Sequence, residues 1–275
     1  MLIDLLKTVL IGIVQGVTEW LPVSSTGHMI LLEELLQLNV TDAFMELFRV
    51  VIQLGSILAV LVLYFRKLNP FAPSKTKEEK GETWNLWFKV VAAVIPSAVI
   101  GLLFDDWFDE HFYNAFTVAL MLVVYGVVFL YLDRIGSGRK NLVARTTDIT
   151  YRTAFLVGCF QVLAIIPGTS RSGSTIIGAM LMGLTRPVAA EFSFFMAIPT
   201  MLGASGLKVV KFFLDGGVMT GAEGLILLVG CLVAFIVSVL SIRALMNYVR
   251  KHSFKAFGVY RIVLGVIVLM WELLA

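Results

Sequence analysis

Two apolar regions of this chain begin as membrane helices and then break at polar residues, and these breaks constrain the fold more than any other feature. Region 1–42 contains TVLIGIVQGVTEWLPVSSTGH, and region 153–188 contains TAFLVGCFQVLAIIPGTSRSGST. Each has a hydrophobic start, a proline, a Ser/Thr/Gly cluster and a second short apolar stretch. Uninterrupted stretches lie at 43–66, 86–104, 113–132, 223–247 and 255–274; a sixth, 189–213, is interrupted by Glu191 and Pro199. A bilayer core of roughly 30 Å takes about 20 apolar residues per helical crossing. The chain is 59% hydrophobic and 15% charged, whereas soluble domains carry roughly 25% charge. One globular core could not bury that surface, so lipid is the second solvent.

Charge distribution gives the orientation. Loop 66–82 carries Arg66, Lys67, Lys75, Lys77 and Lys80, loop 133–152 carries Arg134, Arg139, Lys140, Arg145 and Arg152, and the turn near 250 carries Arg250, Lys251 and Lys255. The DDWFDE turn at 105–110 has acids only. Basic loops on the cytoplasmic side require 86–104 and 113–132 to go out and return, 189–213 to run outward, 223–247 inward and 255–274 outward. Region 153–188 then begins and ends inside, region 1–42 begins and ends outside, and both are re-entrant. The basic residues form no stripe, which excludes nucleic acid as a partner. Cys159 and Cys231 lie in apolar stretches as packing residues, and no cleavable signal peptide is expected.

The two broken regions also resemble each other. Each has an apolar start, a glycine, Gln15 or Gln161, then proline and hydroxyl residues. Similar halves in opposite orientation form an inverted repeat. The expected fold is an all-α polytopic membrane protein with about six transmembrane helices plus two re-entrant helical hairpins. It is a single membrane domain over 1–275, with a first inverted repeat at 1–140 and a second at 150–275.

Non-helical backbone at membrane depth must be buried in protein or line a wet cavity. Where each helix restarts, free N–H groups and hydroxyls favour an anion. Ser24 and Thr26 in the first hairpin, and Gly168, Ser170, Ser172 and Thr175 in the second, are therefore candidate phosphate-binding residues, although small residues also serve helix packing. Arg171 costs about 2.5–3.5 kcal/mol to insert, and its guanidinium can fork onto phosphate oxygens. Gln15 and Glu19 share a helix face. Glu19 could hold a divalent ion, act as a general base, or pair with Arg171. Ser25 and His28 are three apart, so Ser25 could attack with His28 taking its proton, or the imidazole could itself attack or protonate a leaving oxygen. Glu46 and Arg49 lie on one face of the 43–66 helix, placed to pair.

Three motifs carry a family resemblance: Gln15–Glu19 as a Glu-or-Gln, three residues, Glu pattern; Pro167–Thr175 as PGxSRSxxT; and PVSSTGH at 22–28. Over essentially its whole length the chain resembles the undecaprenyl-diphosphate phosphatase family, the bacitracin-resistance type of membrane phosphatase. The resemblance implies hydrolysis of C55 prenyl pyrophosphate to the monophosphate and inorganic phosphate, recycling the carrier lipid for cell-wall synthesis. It implies a divalent cation, Mg2+ or Ca2+, near Glu19, with Glu19, Ser25, His28 and Arg171 tied to catalysis. It places the protein in the bacterial cytoplasmic (inner) membrane with the site opening to the outer face, and it is compatible with a homodimer. Gln15 departs from relatives with a second Glu there, which counts against a carboxylate pair as metal ligand. The rival function is a transporter or flippase of a polyprenyl phosphate lipid, which the same repeat architecture could serve.

Overall fold

A computed structural model describes residues 1–112, 114–136 and 143–274. Arg139 and Lys140, and the side chains of Arg134, Asp105, Asp106 and Asp109, lie outside the described residues. The described chain is all helical: α1 Leu2–Thr18, α2 Ser25–Leu36, α3 Asp42–Leu63, α4 Phe65–Leu68, α5 Lys77–Phe112, α6 Ala115–Gly136, α7 Tyr151–Val162, α8 Arg171–Leu181, α9 Arg186–Leu214, α10 Gly221–Val249 and α11 Lys255–Leu274. Among the described residues, 5 helical segments are long and apolar enough to cross a bilayer: Asp42–Leu63, Lys77–Phe104, Ala115–Leu132, Arg186–Leu214 and Gly221–Val249.

Local chemistry sets the boundaries. Thr41 caps α3 by accepting the Phe44 amide, and Thr220 and Glu223 cap α10 reciprocally, satisfying amides that a helix start leaves free. The expected turn at 105–110 is instead helical, because DDWFDE contains no glycine or proline and α5 continues to Phe112. Pro96 and Pro199 are accommodated inside α5 and α9.

The exterior is apolar as well as the core. Helix α10 exposes Leu228, Leu232, Ile236 and Leu240 along one face while burying Gly230, Ala234, Ser238 and Ile242 on another. A helix apolar all round belongs in lipid. Since lipid tails are as apolar as leucine, helices associate through close packing of small residues. Gly126 on α6 and Gly258 on α11 lie against each other's carbonyls. Helix α1 packs on α10, and α7 packs on α5.

Helices α1 and α2 form a hairpin whose ends meet: Lys7 Nζ donates to the Gln37 carbonyl at 2.8 Å and the Asn39 amide to Asp4 at 3.3 Å. This end adjoins the start of α10, where Thr41 donates to Glu223. Helices α7 and α8 form the second hairpin, with Val143 before α7 bridged to Leu184 after α8. Its open end adjoins the start of α5, through Tyr151 to Asn85 at 2.8 Å and Lys89 to the Thr147 carbonyl at 2.9 Å. Lys67 also pairs there with Glu191 near the start of α9. The hairpins thus open at opposite ends of α9, and their closed ends meet inside. Around that meeting point lie buried Trp20, Phe192, Phe194 and Phe195, with Trp20 edge-on to Phe194 at 5.2 Å.

Candidate functional site

The site is assembled where the two chain breaks touch. In the first hairpin α1 ends at Thr18, and the chain passes through Pro22, which has no amide to donate. It restarts at Ser24, whose φ is 73° and whose hydroxyl accepts the Gly27 amide at 3.3 Å. In the second hairpin α7 ends in a 3-10 turn over Leu163–Ile165, and α8 restarts from Ser170, with φ 74° and a hydroxyl accepting the Gly173 amide at 3.1 Å. Gly168 has φ +88°, and a Cβ on it would lie 2.5 Å from the Val118 carbonyl oxygen, so only glycine fits. Ser172 reaches back to the first hairpin, donating to the carbonyls of Glu19 and Leu21, each at 3.3 Å.

Glu19, 5% exposed, stands at the centre. Its Oε1 accepts from Arg171 Nη2 at 2.9 Å, and its Oε2 accepts from Ser25 Oγ and Gln15 Nε2, each at 2.9 Å. One carboxylate therefore joins the N-terminal residues of α2 and α8. Arg171 also donates to the Ser193 carbonyl at 3.1 Å and lies over the Trp20 ring at 5.8 Å. Thr175 bonds back to the Arg171 carbonyl at 2.9 Å and to the Ser193 hydroxyl at 2.6 Å. Of the options for Glu19, the ion pair with Arg171 is present, and a hydroxyl within reach of a base is present too.

His28 is not drawn to Ser25. Its Nδ1 lies 2.7 Å from the Ser24 carbonyl oxygen, and its Nε2 lies 2.6 Å from the Tyr260 hydroxyl. The Ser25–His28 contact suggested by spacing is replaced by Ser25–Glu19. Thr26 is exposed at the first turn of α2. Arg49 Nε bonds Glu33 at 2.8 Å and Glu46 bonds Lys208 at 2.8 Å, partners that α2 and α9 bring to this face of α3.

Sequence reasoning missed Arg261 on α11. It is 0% exposed and donates to the carbonyls of Pro22 at 3.2 Å, Gly168 at 2.8 Å, Thr169 at 3.1 Å, Met121 at 3.3 Å and Leu122 at 3.5 Å. It thereby fixes both breaks and faces the Tyr125 ring at 5.4 Å. The signal was available, because an arginine inside an apolar stretch warrants the same suspicion as Arg171. Around the paired breaks, the Glu19 carboxylate is thus accompanied by two guanidinium groups, those of Arg171 and Arg261.

Among the described residues, no cluster of three His, Cys, Asp or Glu could cage a metal. Glu19 is the carboxylate a ligand-borne Mg2+ or Ca2+ would face, and both its oxygens are engaged by Arg171, Ser25 and Gln15. Mg2+ is commonly held by one or two carboxylates with substrate phosphates and waters.

Fold and site together define a multi-pass helical membrane protein with a buried serine–carboxylate–arginine centre. The chain matches the model of the family described as bacitracin resistance protein BacA over residues 8–267. It is 55% identical over 273 residues to the undecaprenyl-diphosphatase of Streptococcus thermophilus, covering 98% of this chain and 94% of that one. It is 54% identical over 272 residues to the undecaprenyl-diphosphatase of Streptococcus pyogenes serotype M5, covering 99% of this chain and 98% of that one. The chain belongs to the bacitracin resistance protein BacA family.

Proposed function

We propose that this chain is an undecaprenyl-diphosphate phosphatase, hydrolysing the pyrophosphate bond to give undecaprenyl phosphate and inorganic phosphate for carrier-lipid recycling in cell-wall synthesis. The relatives above carry that activity in their names at over half identity across nearly the whole chain. The observation in the structure that carries the reading is the double engagement of Glu19, with Ser25 on one oxygen and Arg171 on the other. A transporter has no need of a serine hydroxyl held on a buried carboxylate.

The mechanism follows from these contacts. The terminal phosphate enters between the starts of α2 and α8, and Arg171 turns its fork from Glu19 onto phosphate oxygens. Glu19, released from its counter-ion, takes the Ser25 proton as Ser25 Oγ attacks the terminal phosphorus. The P–O bond to the prenyl phosphate breaks, and that phosphate leaves with the bond's electron pair. Water then cleaves the phosphoserine: Glu19 returns its proton to Ser25 Oγ as the P–O bond breaks, and the water's proton leaves on the inorganic phosphate. The hydroxyls and amides of Ser24, Ser170, Ser172 and Thr175 hold the breaks that cradle the anion. His28 lies in the same first turn of α2, with its ring between the Ser24 carbonyl and Tyr260. A divalent cation, when bound, would be held by Glu19 and the substrate's phosphates and would neutralise charge there.

The finer architecture belongs to this reading. The two hairpins are re-entrant from opposite faces, with α11 as a sixth crossing. The constant spacing of Gly12 to Gly158, Gln15 to Gln161, Ser24 to Ser170 and Gly27 to Gly173 supports an inverted repeat over 1–140 and 150–275, as does the exchange of α1–α10 for α5–α7 packing. Basic ends face the cytoplasm, so the site opens to the outer face of the inner membrane. A homodimer is compatible with the apolar exterior.

The test is phosphate release from C55 prenyl pyrophosphate by purified protein in detergent. Wild type should turn over, and Ser25→Ala should lose about a thousandfold or more. A substantial rate in Ser25→Ala would move the attack to His28 or to water. Binding of the lipid without phosphate release by wild type would favour transport.

A further inference from the structure

The phosphatase reading leaves His28 with a partner it does not use. Tyr260 projects from α11, and its hydroxyl is 2.6 Å from His28 Nε2. The two rings are parallel, with centroids 5.7 Å apart and an interplanar angle of 1°. The next residue, Arg261, is bonded to the carbonyls of Pro22, Gly168 and Thr169, so this turn of α11 is fixed against both breaks. The other ring nitrogen, Nδ1, faces the Ser24 carbonyl at 2.7 Å. A carbonyl only accepts, so Nδ1 carries a proton, and in the neutral ring Nε2 carries the lone pair. Tyr260 donates to it.

We infer that Tyr260 is the positioning residue for His28: it donates to the Nε2 lone pair that the Ser24 carbonyl's hold on Nδ1 leaves free, masks that nitrogen while the site is empty, and gives it up to a P–OH donor of the prenyl pyrophosphate. Tyr260 is suited to this exchange because the residue is 46% exposed. It can swing away without opening the core, whereas the Nδ1 contact to the Ser24 carbonyl is part of the α2 start and stays. The exchange trades one hydrogen bond for another, with no change in covalent bonding. The kinetic part of this inference rests on the phosphatase reading; the masking does not.

Both parts are tested on the full chain in detergent micelles. Diethyl pyrocarbonate acylates an unmasked, unprotonated imidazole nitrogen, and peptide mass spectrometry reports His28 separately from His111 and His252, whose exposed rings serve as internal references. Tyr260→Phe keeps the ring and removes only the hydroxyl. His28 acylation should rise roughly fivefold, the weight of one hydrogen bond, while the two reference histidines keep their rates. In phosphate release, kcat should fall without any rise in KM, since the substrate no longer competes with the hydroxyl but meets a less constrained ring. An unchanged His28 rate overturns the masking. A raised KM with kcat intact makes Tyr260 a lipid contact, and unmasking with kcat unchanged removes the positioning role. If wild type releases no phosphate, the phosphatase reading fails while the acylation result still decides the masking.

Discussion

Ser24 and Ser170 hold the same strained backbone in the two hairpins, with φ of 73° and 74°, and each hydroxyl accepts the amide three residues on. A non-glycine residue in that region costs on the order of 1–3 kcal/mol, and replacing a serine cap by alanine costs roughly 1 kcal/mol, against a few tenths for glycine. The sign of the balance follows for the second hairpin. Ser170→Gly sheds the strain and nearly keeps the cap, so it should melt at or above wild type in detergent. Ser170→Ala keeps the strain and loses the cap, so it should melt below both. Equal melting of the two variants would show that strain and cap do not govern this break.

Arg261 and Arg171 should separate in their consequences. Arg261 spreads five donor contacts over carbonyls from both breaks and from α6, which one lysine ammonium cannot span. Arg261→Lys should lose several kcal/mol of stability, since each buried carbonyl left without a donor costs about 1–3 kcal/mol, and activity should fall with it. Arg171→Lys retains a cation beside Glu19 but loses the fork, so it should fold near normally and turn over at least about a hundredfold more slowly. Thermal melting alongside phosphate release distinguishes the two. A stable but inactive Arg261→Lys would place that guanidinium on the substrate instead.

Much of this was legible in the sequence because an ionised group in an apolar stretch has few places to go. Glu19 and Arg171 declared themselves that way, and their meeting follows from two breaks that both need protein around them. Charge parity anticipated two hairpins opening at opposite ends. The His28 partner was not legible, since Tyr260 lies 232 residues away and nothing local marks it; the SSTGH spacing pointed to Ser25, but the Ser24 carbonyl turns the ring away. The extension of α5 through its acidic segment was also obscured, because acids are uncommon near a helix C-terminus, yet no breaker stands there to stop it.

Close approach of helix backbones, at a hairpin and between two crossing helices, gives a sharper stability test. A Cβ on Gly158 would lie 1.9 Å from the Ala93 carbonyl oxygen, and one on Gly55 2.1 Å from that of Cys231. Backbone cannot yield to either as a side chain could. Gly158→Ala and Gly55→Ala should therefore fail to accumulate as folded protein, as judged by monodisperse elution. Gly101→Ala, with open space around it, should behave as wild type or slightly better, since alanine favours helix. Normal elution of Gly158→Ala would mean that α5 and α7 are further apart than described.

Gln15 decides how the site meets a cation. It is 1% exposed, and its amide donates to Glu19 Oε2 at 2.9 Å, so Gln15→Glu would set two buried carboxylates within hydrogen-bonding distance. Two such charges coexist only if one is protonated or a cation sits between them. If a divalent cation is held at Glu19, Gln15→Glu should need less of it for half-maximal phosphate release. The variant should also melt lower than wild type in chelator and regain more stability than wild type when Mg2+ or Ca2+ is restored. The melting comparison needs no turnover, so it reads cation binding apart from catalysis. The same metal response in both proteins would put the cation elsewhere and leave Glu19 to the serine and the arginine alone.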